Sequence, residues 1–171
     1  MASGVLRQEC ENFLTKLNIE FECTEHPEVF TVEEMMPHVS HLSGIHAKNL
    51  FLRDKKKKGL WLVSCRHDRP INLNELSKQL GMGSGALRFA DDTTMLETLC
   101  IGKGCVSPLA LFKDTESQVT LVLDATFLKD PSTRLHFHPM TNSATLGLEC
   151  RDFLQFVQAT GHEPIVIDFG K

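Results

Sequence analysis

Asn49-Leu50-Phe51-Leu52 and Leu60-Trp61-Leu62-Val63-Ser64 are two apolar runs of strand length, separated by Arg53-Asp54-Lys55-Lys56-Lys57-Lys58-Gly59. Short apolar runs bounded by a polar turn read as paired strands, so residues 49–64 form a β-hairpin. The basic turn between them is a solvated cap that discourages edge-to-edge association, with peripheral phosphate contact as the other reading. Downstream, Asn72 caps a helix carrying Leu73, Leu76 and Leu80 that stops at Gly81. Residues 87–90 return as a strand, and residues 92–100 form a helix that ends at Gly102. Apolar runs at 109–112, 119–123, 134–137 and 144–148 extend the set of strands. A helix over 150–159 and a strand over 165–169 close the chain.

Upstream, Leu6, Cys10, Phe13, Leu14 and Leu17 recur at helical spacing, and a short strand follows at 21–23. Thr31-Val32-Glu33-Glu34 has the form of a capping box, which starts a helix at Thr31 that runs to about Met36. Beyond it, Pro37 and Gly44 leave residues 35–45 as a loop or marginal helix. Strands and helices do not alternate strictly, so the pattern predicts an α+β fold: a curved mixed, mostly antiparallel β-sheet, meandering in order and flanked by helices.

The chain has 171 residues and is 42% hydrophobic, which fits one compact domain over 1–171. Its six cysteines show neither a C-x-x-C pair nor zinc spacing, so reduced thiols and no metal centre are expected. The N-terminal residues lack the apolar core of a secretory signal and no stretch is long enough to span a bilayer, which makes the cytoplasm the expected location. A net charge of −4 argues against a protein that coats nucleic acid, leaving only local contact with phosphates. With one Trp and no Tyr, any base stacking falls to the eleven Phe residues.

Four segments carry candidate chemistry. Gly102-Lys103-Gly104-Cys105-Val106-Ser107-Pro108 is either a helix C-cap and connector or a loop whose backbone N–H groups cradle an anion. Lys48, just ahead of the apolar run, either reaches out to water or supplies a positive charge inside a cleft. His136 and His138 lie two apart on one face of a strand, and Pro139 restrains the backbone of His138. The basic hairpin tip is the fourth. Cys105 also offers a thiol nucleophile, although nothing in the sequence brings a histidine to it.

His26-Pro27-Glu28-Val29-Phe30-Thr31-Val32-Glu33-Glu34, Lys48-Asn49-Leu50-Phe51-Leu52, Gly104-Cys105-Val106-Ser107-Pro108 and His138-Pro139-Met140-Thr141-Asn142 occur in this order. The set resembles the YbaK-like prolyl-tRNA editing family, and within it the free-standing alanyl-tRNA(Pro) deacylases, from the first helix to the last strand. The resemblance implies the fold of that family and hydrolysis of the ester joining alanine to the terminal adenosine of tRNA(Pro). A proline-shaped synthetic pocket excludes a smaller apolar amino acid poorly, because each missing methylene is worth only about 1–3 kcal/mol, so a second, smaller sieve is needed.

Carried over by position, Lys48, Gly104 and His138 are the implied catalytic residues. Met36, Val39, Asn49, Ser107, Pro108 and Asn142 are the implied substrate contacts. The resemblance further implies backbone amides at Gly104 to Pro108 on the scissile carbonyl, water activated largely by the substrate's own ribose hydroxyl, and no metal or cofactor. Its partners would be the acceptor end of tRNA(Pro) and prolyl-tRNA synthetase, with no membrane. In the family, the segment corresponding to residues 36–45 borders the substrate entrance, and its irregularity here makes it a candidate mobile lid. Two other readings stay open: a cysteinyl-tRNA(Pro) deacylase, and a non-catalytic tRNA-binding or regulatory module. A hydrolase built on Cys105 is a third.

Overall fold

The computed structural model describes residues 3–56 and 58–170, so Lys57 of the basic turn lies outside the described residues, as do both chain ends. In chain order the elements are α1 (Ser3–Lys16), β1 (Glu22–Glu25), α2 (Val32–Val39), β2 (Ile45–Asp54), β3 (Leu60–Arg66), α3 (Leu73–Gln79), β4 (Leu87–Phe89) and α4 (Asp92–Leu99). A 3₁₀ helix follows at Pro108–Lys113, then β5 (Val119–Asp124), a second 3₁₀ helix at Ala125–Leu128, β6 (Arg134–Phe137), β7 (Ala144–Glu149), α5 (Cys150–Ala159) and β8 (Ile165–Ile167).

The hairpin forms as its sequence dictates, with Leu50 opposite Val63 and Phe51 opposite Leu62 in antiparallel register. It sits at the middle of one sheet ordered β1-β7-β6-β2-β3-β5-β8, with β4 also paired to β2. Among the described residues four of the pairings are antiparallel and three are parallel: β2 with β6, β3 with β5, and β5 with β8. The sheet is therefore mixed, as expected, but it is not a meander. Unbroken apolar runs were the sign of this. Leu62, Leu121 and Leu123 face the larger core, whereas Val63 and Val122 face a second core that includes Leu76 of α3. Strands covered on both faces lose the apolar–polar alternation of a half-solvated meander and suit parallel pairing.

Two other elements depart from the sequence reading. The run at 109–112 is 3₁₀ helix rather than strand. Pro108, with its fixed φ, occupies the start of the helix, and the Ser107 hydroxyl accepts the Leu109 N–H at 3.1 Å. Leu109, Ala110 and Leu111 are fully buried, so composition alone could not separate buried helix from buried strand. Helix α2 begins where the capping box places it, with the Glu34 N–H donating to Thr31 Oγ1 at 3.1 Å. It continues past Met36 and Pro37 to Val39, because Met35 and Val39 bury against Val29 in a small cluster of their own. That cluster is separate from both main cores.

The chain after α2 is tied to the sheet by two histidines. His46 of β2 and His136 of β6 stand side by side in parallel register, and their rings stack at 4.6 Å. His46 Nε2–H donates to the Leu42 carbonyl at 3.2 Å and His136 Nε2–H to the Ser43 carbonyl at 2.8 Å. Gly147 makes room for this: a Cβ there would stand 2.7 Å from His136 Nδ1.

Candidate functional site

A cavity of about 370 Å³ opens between the N-terminal turn of α2, the start of β2 and the glycine loop. Thr31, Val32, Glu33 and Met35 form one wall; Ala47, Lys48 and Asn49 of β2 form the facing one. Gly104 and Val106 of the loop, with Phe30, His67 and His138, complete it. The strand period puts Ala47 and Asn49 on one face of β2, and Lys48 on the other, at the strand's end where both reach the opening.

Lys48 is half-buried, and its ammonium donates to the Arg69 carbonyl. The other two N–H bonds of the ammonium remain for a substrate. The segment that supplies this carbonyl is bolted down from behind. Asp124 is completely buried and accepts from Arg69 Nε at 3.1 Å, from the Arg66 N–H at 3.1 Å and from the Thr126 N–H at 2.9 Å. Arg69 also donates to Thr126 Oγ1 at 2.7 Å. Burial is the largest single influence on the Asp124 carboxyl and pushes its pKa up. The Thr126 and Arg66 N–H groups, with Arg69 and the Thr126 hydroxyl, outweigh it together and hold the carboxyl below its ordinary range. A buried carboxylate thus positions Lys48 through Arg69.

Asn49 Nδ2 donates to the Val106 carbonyl at 3.2 Å, which joins β2 to the loop. Its Oδ1 is buried and has no partner among the described residues. A buried acceptor left unpaired costs about 1–3 kcal/mol, which makes this oxygen a place for a donor on a ligand. In the loop, the Cys105 N–H closes a turn on the Gly102 carbonyl at 3.2 Å, while the Gly104 and Val106 N–H groups have no backbone partner among the described residues. Gly104 is required twice over. Its φ is +84°, and a Cβ would stand 2.9 Å from Phe30 Cδ1 and 3.2 Å from Asn142 Nδ2.

His138 Nδ1 lies 3.1 Å from the Ala144 carbonyl. A carbonyl only accepts, so Nδ1 carries the proton and Nε2 is a bare acceptor when the ring is neutral. Burial, followed by the nearby His26, pushes the His138 pKa below its ordinary value, against the opposing pull of the Ala144 bond. Burial likewise lowers His46, reinforced by His136, and lowers His136 itself. For all three, the unfolded chain takes up a proton at a higher pH than the folded chain does. Stability therefore falls as pH drops below about 6.5. The thermal midpoint is expected to be lower at pH 5.5 than at pH 7.5, and a midpoint that rises over this interval contradicts the assignment.

The remaining candidates lie outside the cavity. Val39 is fully buried in the cluster beneath α2, and Met36 packs against the outside of that cluster and faces a shallow groove with Pro37 and Ser40. Met35, one residue earlier, is the methionine that lines the cavity, because the cap at Thr31 sets the helical register. Ser107 is fully buried as a helix cap, and Pro108 is buried at the first position of that helix, so both shape the loop from behind. Asn142 is also a tie: its Nδ2 donates to the Val29 carbonyl at 2.8 Å and its own carbonyl accepts the Val29 N–H at 3.1 Å. Burial raises the Cys105 pKa, keeping it a thiol, and its side chain lines a neighbouring cavity. Phe30, Met35, Ala47, His67 and Val106 line the cavity without having been singled out in the sequence. Among the described residues no group of three or more His, Cys, Asp or Glu is placed to hold a metal ion. Among them, no helix is long and apolar enough to cross a membrane.

The family model for the aminoacyl-tRNA editing domain matches residues 26–156, a span that contains every wall of the cavity. The chain belongs to the aminoacyl-tRNA editing domain family. It is 60% identical over 171 residues to prolyl-tRNA synthetase associated domain-containing protein 1 of Bos taurus, covering 100% of this chain and 99% of that protein. It is 33% identical over 153 residues to the prolyl-tRNA editing protein ProX of Acetoanaerobium sticklandii, covering 87% of this chain and 88% of that protein. Among solved structures it superposes on hypothetical protein APE2540 with a TM-score of 0.69 at 21% identity, over 92% of this chain and 96% of that one. The α+β architecture with its mixed sheet is thus shared with that solved structure.

Proposed function

We propose that this chain hydrolyses alanyl-tRNA(Pro), releasing alanine from the terminal adenosine and so protecting the fidelity of proline codons. The observation that carries this reading is that Lys48, Asn49, Gly104, Val106 and His138 line one cavity. They bring to it a lysine ammonium, an imidazole, a buried amide oxygen with no partner among the described residues, and two loop N–H groups with no backbone partner among them. These are the groups that ester hydrolysis needs. Water adds to the carbonyl carbon, negative charge develops on the carbonyl oxygen, and the bond to the ribose oxygen breaks as that oxygen takes up a proton. The Gly104 and Val106 N–H groups, already in place, stabilise the developing charge at no reorganisation cost. Lys48 adds positive charge beside them. Asn49 Oδ1 accepts from the α-ammonium of the amino acid. His138 Nε2 and the substrate's free ribose hydroxyl are the acceptors that orient the water. Met35, Ala47 and Val106 bound the space for a methyl side chain.

The family supports acting on aminoacyl-tRNA, and the name of the bacterial relative supports the prolyl system; the choice of alanine rests on the apolar side chains of Met35, Ala47 and Val106 within a cavity that polar groups also line. Prolyl-tRNA synthetase, which would generate the mischarged substrate, is the natural partner in such a cycle. With chain present at a hundredth of the alanyl-tRNA(Pro) concentration, as a chosen assay ratio of about 1:100, complete release of free alanine over many turnovers is expected. Binding of the tRNA with alanine left attached would establish the non-catalytic module instead.

A further inference from the structure

A second cavity of about 370 Å³ lies across the glycine loop from the first, and Phe30 lines both. The Phe30 ring rests on Gly104, so ring and loop together are the wall between them. Ile101 and Met140 of the second cavity are buried and apolar, while Phe30 and Leu96 are each 58% exposed, large apolar surface offered to solvent. Lys103 is exposed at this cavity and forms no ion pair among the described residues, with Glu28 the one carboxylate in the lining.

An exposed aromatic ring, an apolar floor and a free cation are what a nucleotide of a single strand requires, because every base has a face to stack and every link a phosphate. Resting on the deacylase reading, which puts the terminal adenosine ester in the first cavity, the RNA strand must leave past the shared wall. We propose that the second cavity holds the base of the nucleotide preceding the terminal adenosine, stacked on Phe30, with its phosphate at Lys103. Continuity with the first cavity through Phe30, together with Lys103, favours a nucleotide over an apolar protein segment. The contact is independent of sequence, in keeping with a 3′ end that all tRNAs share.

The test is calorimetric titration of the full chain with the uncharged trinucleotide cytidylyl-cytidylyl-adenosine and, separately, with adenosine monophosphate. The trinucleotide is expected to bind about tenfold more tightly. Phe30→Leu, which keeps apolar bulk but not the stacking face, and Gly102→Glu, which sets a carboxylate beside Lys103, are each expected to bring that ratio close to one. Gly102 has open space at its Cβ position and no positive φ, so the substituted chain folds. Equal affinities in the unmodified chain, or a ratio that survives both substitutions, overturns the proposal. Alanine release from alanyl-tRNA(Pro) is measured alongside. A chain that releases alanine without a trinucleotide preference loses only the second cavity; one with a substitution-sensitive preference but no release keeps it and loses the deacylase.

Discussion

Lys48→Ala is expected to slow alanine release from alanyl-tRNA(Pro) by about 10²–10³-fold, the range for removing one donor aimed at a developing oxyanion. Its thermal midpoint should fall by no more than about 2–4 °C. The disproportion follows from what Lys48 touches. Among the described residues its ammonium hydrogen-bonds only the Arg69 carbonyl, and losing one such bond costs about 1 kcal/mol, whereas Lys48 also lines the cavity. The effect should fall on kcat, since a charge matched to the transition state does little for the ground state. A Lys48→Ala chain that melts normally and keeps its turnover would show that the site is elsewhere.

Asp124→Asn is expected to cost about 3–5 kcal/mol of stability, because it leaves the Arg69 guanidinium against a buried neutral group. That is a fall in thermal midpoint of roughly 10 °C. Turnover should drop as well at temperatures where the variant is still folded, since the Arg69 carbonyl that holds Lys48 loses its anchor. The pH dependence separates this from a simple packing defect. The carboxyl is held below its ordinary value in the folded chain, so its stabilisation is complete above about pH 4 and is lost as pH falls through the lower folded value. The gap in midpoint between the two chains should therefore narrow below about pH 4. A gap that is constant with pH would assign the loss to shape rather than charge.

Neither Arg69 nor Asp124 is visible as a functional residue in the sequence, and the reason is physical. They lie 55 positions apart and meet only because β3 and β5 pair in parallel. Local patterns were legible where local physics decides. The capping box at Thr31 started α2 at the right residue, and the basic turn did separate two paired strands. Lys48, Asn49, Gly104 and His138 do meet in one cavity. Met36 and Val39 fall outside that cavity, because the helical register turns Met35 to it instead. The 109–112 run failed because burial erases the difference between a short helix and a strand. Ser107, Pro108 and Asn142 lie close to the site in sequence yet act behind it, as caps and ties. Phe30 was hidden by its type, since an exposed phenylalanine cannot be told from a core one until the fold places it.

The most direct measurement is the rate at which this chain releases each amino acid from tRNA(Pro) charged in turn with alanine, cysteine and proline. A cavity bounded by Met35, Ala47 and Val106 should release alanine fastest, cysteine more slowly, and leave proline attached. Preferential release of cysteine would make it a cysteinyl-tRNA(Pro) deacylase, and release of proline at the rate of alanine would contradict the size sieve altogether.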